Sequence, residues 1–274
     1  MRILQHNQQR NLTRNLYRQF QNQEIRIPIE TRGPQRMVIK VSNPKKAHTY
    51  YFDTAPVING RDCFIIKIPK MPAEVKVELY NEKNGNVVGD PTFRVGKVMV
   101  RPIQLQFSIG RILDRDLANF LKFSDEFAEN VELYSAQNSV YRSDDGKFRI
   151  DYVDVIRDSK GNELKTPAMV NSETKVIKIA KKYYLGYTVP GRKAINLHEY
   201  SHVYKNVNPS DEFEADKNAI MIYLGTGNPI IEAYNVFLKV FNNSPHNLNK
   251  ARYNALNNYL KNFNKIMTNQ QVAA

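Results

Sequence analysis

The chain has 274 residues, of which 42% are hydrophobic, so it is long and apolar enough for one large or two modest globular domains. Its single cysteine, Cys63, excludes an intramolecular disulfide, and no run of 18 apolar residues or apolar leader predicts a membrane span or a secretory signal. The formal net charge is +13, and residues 1–50 hold ten Lys and Arg against two Glu, which suits an acidic partner there.

Residues 1–23 predict a basic amphipathic arm in the form of a helix. Arg10, Arg14 and Arg18 recur every four residues and would lie along one helical face. Apolar residues at helical spacing form a second stripe, which consists of Leu12, Leu16, Tyr17 and Phe20. The stripe fits equally well against a partner or against the chain's own domain.

Residues 24–105 predict a β-rich domain, because short β-branched and apolar runs alternate with Pro, Gly and Asn clusters. The expected strands are Glu24–Ile29, Met37–Ser42, Thr49–Asp53, Cys63–Pro69, Glu74–Tyr80 and part of Phe93–Val100. The Asn84-Gly85 pair indicates a tight turn. We expect a small antiparallel β-sandwich-like domain that serves binding or assembly.

Residues 106–268 predict a second, mainly helical domain with a short sheet, followed by a frayed tail at 269–274. Helical spacing runs through Ile109–Asn130, and strands are expected at Val131–Tyr134 and Lys147–Arg157. The two domains together indicate an α+β protein.

Later segments of this domain predict one edge strand and several helices. Lys175–Ala180 alternates charged and apolar residues, which suits an edge strand with one solvated face. After Pro190 the pattern is helical, with breaks at Gly225–Pro229 and Asn242–Pro245.

The most specific motif is His198-Glu199-Tyr200-Ser201-His202, an HExxH sequence. On a helix, His198 and His202 project from one face and can share one zinc ion. Glu199 would lie beside the open position of that ion, where a carboxylate can accept a proton from zinc-bound water.

Zinc needs a third protein ligand, and the acidic run Asp211–Asp216 follows the second histidine closely. Ser210 or Asp211 can cap a second helix, whose first turn would face the histidines. Glu212 and Asp216 share a face, so we expect Glu212 as the ligand and Asp216 as acceptor for a ligand His N–H. Glu214 is the alternative ligand, although it also fits a capping box.

The segments HEYSH and EFEAD resemble the HExxH…ExxxD gluzincin metallopeptidases related to the CAAX prenyl proteases. The likeness spans about residues 165–260 and includes Ser244-Pro245-His246 followed by Arg252. It implies a zincin-type domain with one Zn²⁺ ion. The implied site residues are His198, His202 and Glu212 as zinc ligands, Glu199 as catalytic base and Asp216 as support.

The resemblance implies a soluble zinc endopeptidase acting on peptides or proteins. Candidate oxyanion stabilisers are His246 and Tyr223, with Tyr234 and Arg252 as further options. The central residues of the expected edge strand could hold an extended substrate by strand addition, and they are Val176, Ile177, Lys178 and Ile179.

Two other functions compete with hydrolysis. The composition, rich in Asn and Lys and without Trp, is similar to that of tailed-phage virion components, so residues 1–105 could bind an assembly partner in a structural protein. Nucleic-acid binding through the three arginines of the arm is the weaker alternative, because no reading motif is present. A cytoplasmic or virion-associated location without membrane contact is expected.

Overall fold

The computed structural model describes residues 12–103, 114–135, 140–243 and 247–272. The protein mixes α and β structure, with six helices and three sheets among these residues. The chain divides into two compact units near residue 106.

The first unit is all β in its described part and contains a seven-stranded, antiparallel sheet. Its strands are β1 (Leu12–Tyr17), β2 (Gln23–Ser42), β3 (Tyr50–Thr54), β4 (Val57–Ile68), β5 (Glu74–Asn81), β6 (Phe93–Val95) and β7 (Met99–Pro102).

The long strand β2 organises this unit. Its first half pairs with β6 and β7, and its second half pairs with β3 and β5. Strand β4 pairs with both halves. The register shifts between Glu30 and Pro34, where Gly33 takes a positive φ of 72° that favours glycine. Alternate residues of both halves are fully buried, among them Ile25, Ile27, Met37, Ile39 and Val41. One strand thus supplies core to two sets of neighbours.

The prediction of a helix over residues 1–23 is wrong for its described part. Residues 12–17 form β1, which pairs antiparallel with β5 from Leu12↔Leu79 to Tyr17↔Glu74. Arg14 therefore lies in a strand, while Arg10 falls outside the described residues. The physical reason is nonlocal, because the edge of β5 offers backbone partners that helical spacing in the sequence cannot reveal.

The second unit joins a small sheet to a set of helices. Its elements are α1 (Arg115–Ser135), β8 (Val140–Arg142), β9 (Arg149–Val153), β10 (Ile156–Arg157), β11 (Glu163–Leu164), β12 (Ala168–Val170), β13 (Val176–Ala180), α2 (Lys181–Tyr184), α3 (Val189–Tyr204), α4 (Glu212–Gly225), α5 (Ile230–Asn243) and α6 (Asn247–Val272).

The prediction of an edge strand at Lys175–Ala180 is half right. Residues 176–180 do form a strand, β13, but it lies inside the sheet order β12-β13-β9-β8. It pairs parallel with β9 and antiparallel with β12. Its alternation reflects one solvated face, with Lys178 exposed and Ile177 and Ile179 buried. An inner strand can have such a face as well as an edge strand, so the alternation does not show which strand lies at the edge. The edge strands of this sheet are β12 and β8.

Helix α3 runs through the middle of this unit and is buried over most of its length. Tyr200 stacks on Phe120 of α1 with ring centroids 4.2 Å apart. Arg192, which is fully buried, donates to Ala128 O at 3.0 Å and to Leu185 O at 3.1 Å. Asn196 donates to Ser124 Oγ at 3.0 Å. These contacts fix the depth and rotation of α3 against α1.

Residues 131–134 were expected as a strand, and that prediction is wrong. They continue α1 beyond a local kink at Asn130, whose φ of −118° is not helical. Val131 is buried in the core, so packing overrides the β propensity of this run. None of the described helices combines the length and apolar character that crossing a membrane requires.

Candidate metal centre

Helix α3 presents the two histidines of the HExxH motif. Thr188 caps its N-terminus by accepting from Gly191 N at 3.2 Å, and Pro190 lies in the first turn, where its missing N–H costs nothing. His198 and His202 follow on the same face one turn apart, with their ring centroids 4.6 Å from each other.

Helix α4 presents Glu212 at its first residue. Asp211 is the N-cap and accepts from Phe213 N at 2.9 Å and Glu214 N at 3.0 Å. Glu214 does not join the histidines, because its carboxylate accepts from Val207 N at 3.0 Å. The cap therefore sets where α4 begins, and with it the position of Glu212.

Three side chains converge at the point where these helices meet. His198 Nε2 and His202 Nε2 are 3.0 Å apart, and Glu212 oxygens lie 3.3 Å from the first and 3.7 Å from the second. One donor atom from each lies within 4.8 Å of the others, so the group is near enough to bind a metal ion.

The chemistry of this donor set fits zinc. Zinc prefers imidazole nitrogen and carboxylate oxygen, and two nitrogens bound tetrahedrally at about 2.0–2.1 Å lie roughly 3.3 Å apart. Three protein ligands leave a fourth position open, as is typical of catalytic rather than structural sites.

Further polar groups orient each of these three side chains. His202 Nδ1 is 2.7 Å from Pro209 O, and His198 Nδ1 is 3.0 Å from Asp216 Oδ1. Arg252 of α6 donates to both oxygens of Asp216 at 2.8 Å and lies 2.9 Å from Glu212 Oε2. Such partners hold ligand rings in one rotamer and one tautomer, which favours metal binding.

Glu199 lies beside the triad and is 7% exposed. Its Oε2 accepts a hydrogen bond from Val170 N at 2.8 Å, so the edge strand β12 holds the carboxylate. Burial raises the pKa of Glu199, while the nearby charge of His198 opposes that rise.

In this cluster the carboxylates of Glu212 and Asp216 lie beside the positive charges of His198 and Arg252. Burial alone would raise the pKa of Asp216, but Arg252 and His198 outweigh it and lower that pKa. Burial would lower the pKa of His198, but Asp216 and Glu212 outweigh it and raise the pKa to about 10. Burial and the His198 charge both lower the pKa of His202. A metal ion would take over the positive charge that His198 carries, because a ligating imidazole is neutral.

The triad opens into a cavity of about 650 Å³, which is within the usual size range of small-ligand pockets. Strand β12 and helices α3 and α5 contribute to its walls, and His198, Glu199, His202, Glu212 and Arg252 all line it. The possible metal ligands and Glu199 therefore line the same cavity.

Several other predicted site residues are not brought to this cavity. Tyr223 is fully buried in the core and does not line the cavity, so its candidacy as oxyanion stabiliser is wrong. Tyr234 also lies away from it and donates to Asn257 Oδ1 at 3.1 Å. His246 falls outside the described residues.

The predicted substrate strand is not at the cavity either. Both edges of β13 are paired within the sheet, so Val176, Ile177, Lys178 and Ile179 cannot accept an added strand there, and that prediction is wrong. The edge that lines the cavity is β12, with Ala168, Met169 and Val170.

Sequence reasoning missed the contacts that orient the site. Arg252, a candidate oxyanion group from the sequence, instead bridges Glu212 and Asp216. The sequence gives no signal for the amide of Val170, because a backbone contact to Glu199 across 29 residues leaves no side-chain signature.

Compared with models of known protein families and with curated protein sequences, the chain matches none of them.

Proposed function

We propose that the protein is a zinc-dependent endopeptidase. The observation that carries this proposal is Glu199, a buried carboxylate that Val170 N holds beside the group of His198, His202 and Glu212. A carboxylate in that place has no need to act as a ligand, because two imidazoles and Glu212 already supply three. It is suited to act as a general base.

A zinc ion bound by these three side chains would supply a Lewis acid that polarises the scissile carbonyl and acidifies a water molecule. Glu199 would accept a proton from water as its oxygen bonds to the carbonyl carbon. Glu199 would then deliver that proton to the amide nitrogen as the C–N bond breaks. Asp216, Pro209 O and Arg252 would keep the ligands oriented throughout.

The proposal includes the finer architecture expected from the sequence. The second unit would be a zincin-type domain, and the first unit, built around β2, would be a β-sandwich-like module that binds a protein partner. Assembly in a virion is the alternative that would use the same module without hydrolysis.

Metal content is the first measurement. Protein purified without chelator should hold about one zinc ion per chain by elemental mass spectrometry, and a His202→Ala variant should lose it. Absence of zinc from the purified protein and after incubation with buffered zinc would contradict the proposal.

Replacing the base separates binding from chemistry. We expect Glu199→Gln to retain zinc and to lose at least about 100-fold in the rate of peptide cleavage, because the amide cannot accept the proton. Glu214→Gln is the matched control, since Glu214 bonds to Val207 N and not to the triad. Equal cleavage by the Glu199→Gln variant and the unmodified protein would exclude Glu199 as base.

A further inference from the structure

The first unit has a positively charged surface on the outer side of its sheet. Over the first half of β2, strand β4 pairs along one edge, and β6 and β7 pair along the other. Ile25, Ile27 and Ile29 of β2 are buried, so the even-numbered side chains of this half point to the opposite, outer side. We call this outer side the basic face, and by the strand register it consists of Glu24, Arg26, Pro28, Glu30, Arg61, Cys63, Ile65, Lys67, Arg94, Met99 and Arg101.

Cations flank an acidic residue at each end of the basic face. At one end, Lys67 of β4 and Arg101 of β7 lie on either side of Glu24. At the other end, six residues further along β2, one arginine of β4 and one of β6 lie on either side of Glu30. Arg26 lies between these two rows, so the five cations of the basic face outnumber its two acids.

Both acidic residues of the basic face already have a partner within it. Glu24 Oε1 is 2.5 Å from Arg26 Nε, and Glu30 Oε1 is 3.2 Å from Arg61 Nε. The other three cations are exposed and pair with no carboxylate in the described part of the chain, and they are Lys67, Arg94 and Arg101. The basic face therefore has an excess of three positive charges that no internal ion pair uses.

This composition fits a phosphate-rich partner better than a protein surface. The centre of a protein interface is apolar and depleted of charge, whereas interfaces with nucleic acid are more polar and much more positive. On the basic face, Ile65 and Met99 are separated by Arg26, which lies directly between them in the register. An apolar surface packed there would remove water from cations without replacing it.

The size and the side chains of the basic face favour a duplex over a single strand. Six residues of a strand extend about 20 Å, and two strands on either side of a third lie about 10 Å apart. Phosphates of one duplex strand recur about every 3.4 Å along the helix axis, so cations at both ends of the face can contact the same duplex. Modules for single strands stack bases on aromatic side chains, and the basic face as defined by its register has none.

We propose that the basic face of the first unit binds double-stranded nucleic acid through its phosphate groups, without reading the base sequence. Lys67, Arg94 and Arg101 supply the principal contacts, because each can pair with a phosphate without leaving an acidic partner. This binding is independent of peptide hydrolysis, since no residue of the basic face belongs to the candidate metal centre.

The salt dependence of binding tests the proposal with the full chain and a fluorescent duplex of about 20 base pairs of random sequence. Three phosphate contacts predict a slope of about −2.7 when the logarithm of affinity is plotted against that of salt concentration. Affinity should therefore fall roughly 40-fold between 50 and 200 mM salt. The single strand of the same sequence and poly-glutamate of equal total charge should bind at least about 10-fold more weakly.

Neutral variants locate the contacts. Changing all three cations without an acidic partner to Gln should bring the slope close to zero, and each single change should reduce its size by about one. The matched control loses the same net charge at three exposed lysines outside the basic face and should keep the original slope. Its changes are Lys45→Gln, Lys83→Gln and Lys178→Gln.

A variant with the opposite expected effect excludes misfolding as the cause of weaker binding. The side chain of Glu30 is 51% exposed and that of its partner Arg61 is 84% exposed, so Glu30→Gln should release a fourth cation. The slope should then steepen by about one. A triple variant with the slope of the unmodified protein would overturn the inference, as would equal or tighter binding of the single strand or of poly-glutamate.

Discussion

At the scale of single residues, Asp216 contributes to the candidate metal centre through its neighbours. It lies 3.0 Å from His198 Nδ1 and receives two hydrogen bonds from Arg252. An aspartate in this position makes the imidazole a better electron donor and adds negative charge beside the cation. Both effects favour metal binding, so loss of the Asp216 charge should weaken it.

We therefore expect Asp216→Asn to weaken zinc affinity by about 10- to 100-fold, the usual effect of losing a partner of a ligating histidine. Competition with a chromophoric chelator measures the affinity, and Glu214→Gln again serves as the isosteric control on the same helix. Unchanged affinity in the Asp216→Asn variant would mean that Pro209 O and Arg252 suffice to orient the site.

The residues of the site differ in how far sequence could predict them. Spacing within one helix fixes a shared face, which is why His198 and His202 were identifiable and why Glu212 could be preferred over Glu214. The spacing of residues along a helix does not show how deeply each side chain is buried. Tyr223 lies on the same helix as Glu212, about three turns further on, yet it is fully buried in the core.

At the scale of elements, the contact of α3 with α5 is the tightest requirement on the sequence near the site. Gly191 is in the first turn of α3, and a methyl group there would meet Val236 Cγ2 at 2.7 Å and Thr188 Oγ1 at 3.2 Å. Separating the helices would displace the N-terminal cap of α3 at Thr188.

We expect Gly191→Ala to lower the free energy of unfolding by about 1–3 kcal/mol, the usual cost of overpacking. Gly186→Ala is the control, because its new methyl group would meet only Lys239 Nζ at 3.3 Å and Tyr183 O at 3.5 Å, and the flexible lysine can move. Its cost should stay within about 0.5 kcal/mol. Urea denaturation of both variants measures the difference, and equal stability would show that α5 can shift without loss.

Whether a segment forms a helix or a strand could be predicted where the signal lies within that segment. Which strands pair with each other could not be predicted. The strand at 176–180 and the helix that carries HExxH agree with the sequence, because periodicity and a first-turn proline are local signals. The sequence predicts two strands, Glu24–Ile29 and Met37–Ser42, because Gly33-Pro34 usually interrupts a strand, but neighbours on both sides keep β2 continuous. The place of β13 inside the sheet depends on β9, whose paired residues lie 27 positions earlier in the chain.

At the scale of the whole molecule, the two units have separate cores and only one holds the metal group. The core of the first unit is built on β2, with Ile25, Ile27 and Met37 fully buried. The second unit has its own cluster around Phe120, Tyr200 and their neighbours. A ligand that binds only the folded second unit should stabilise that unit by mass action and leave the first unchanged.

Removal of zinc should therefore act on one unit alone. At a free zinc concentration 1,000 times the dissociation constant, binding stabilises the folded state by about 4 kcal/mol. Amide hydrogen exchange by mass spectrometry locates the effect: chelation should speed exchange in α3 and α4 and leave β2 unaltered. His202→Ala should show the fast exchange with or without chelator. Equal acceleration in β2 would mean that the units unfold together, and zinc would then stabilise the chain as one cooperative structure.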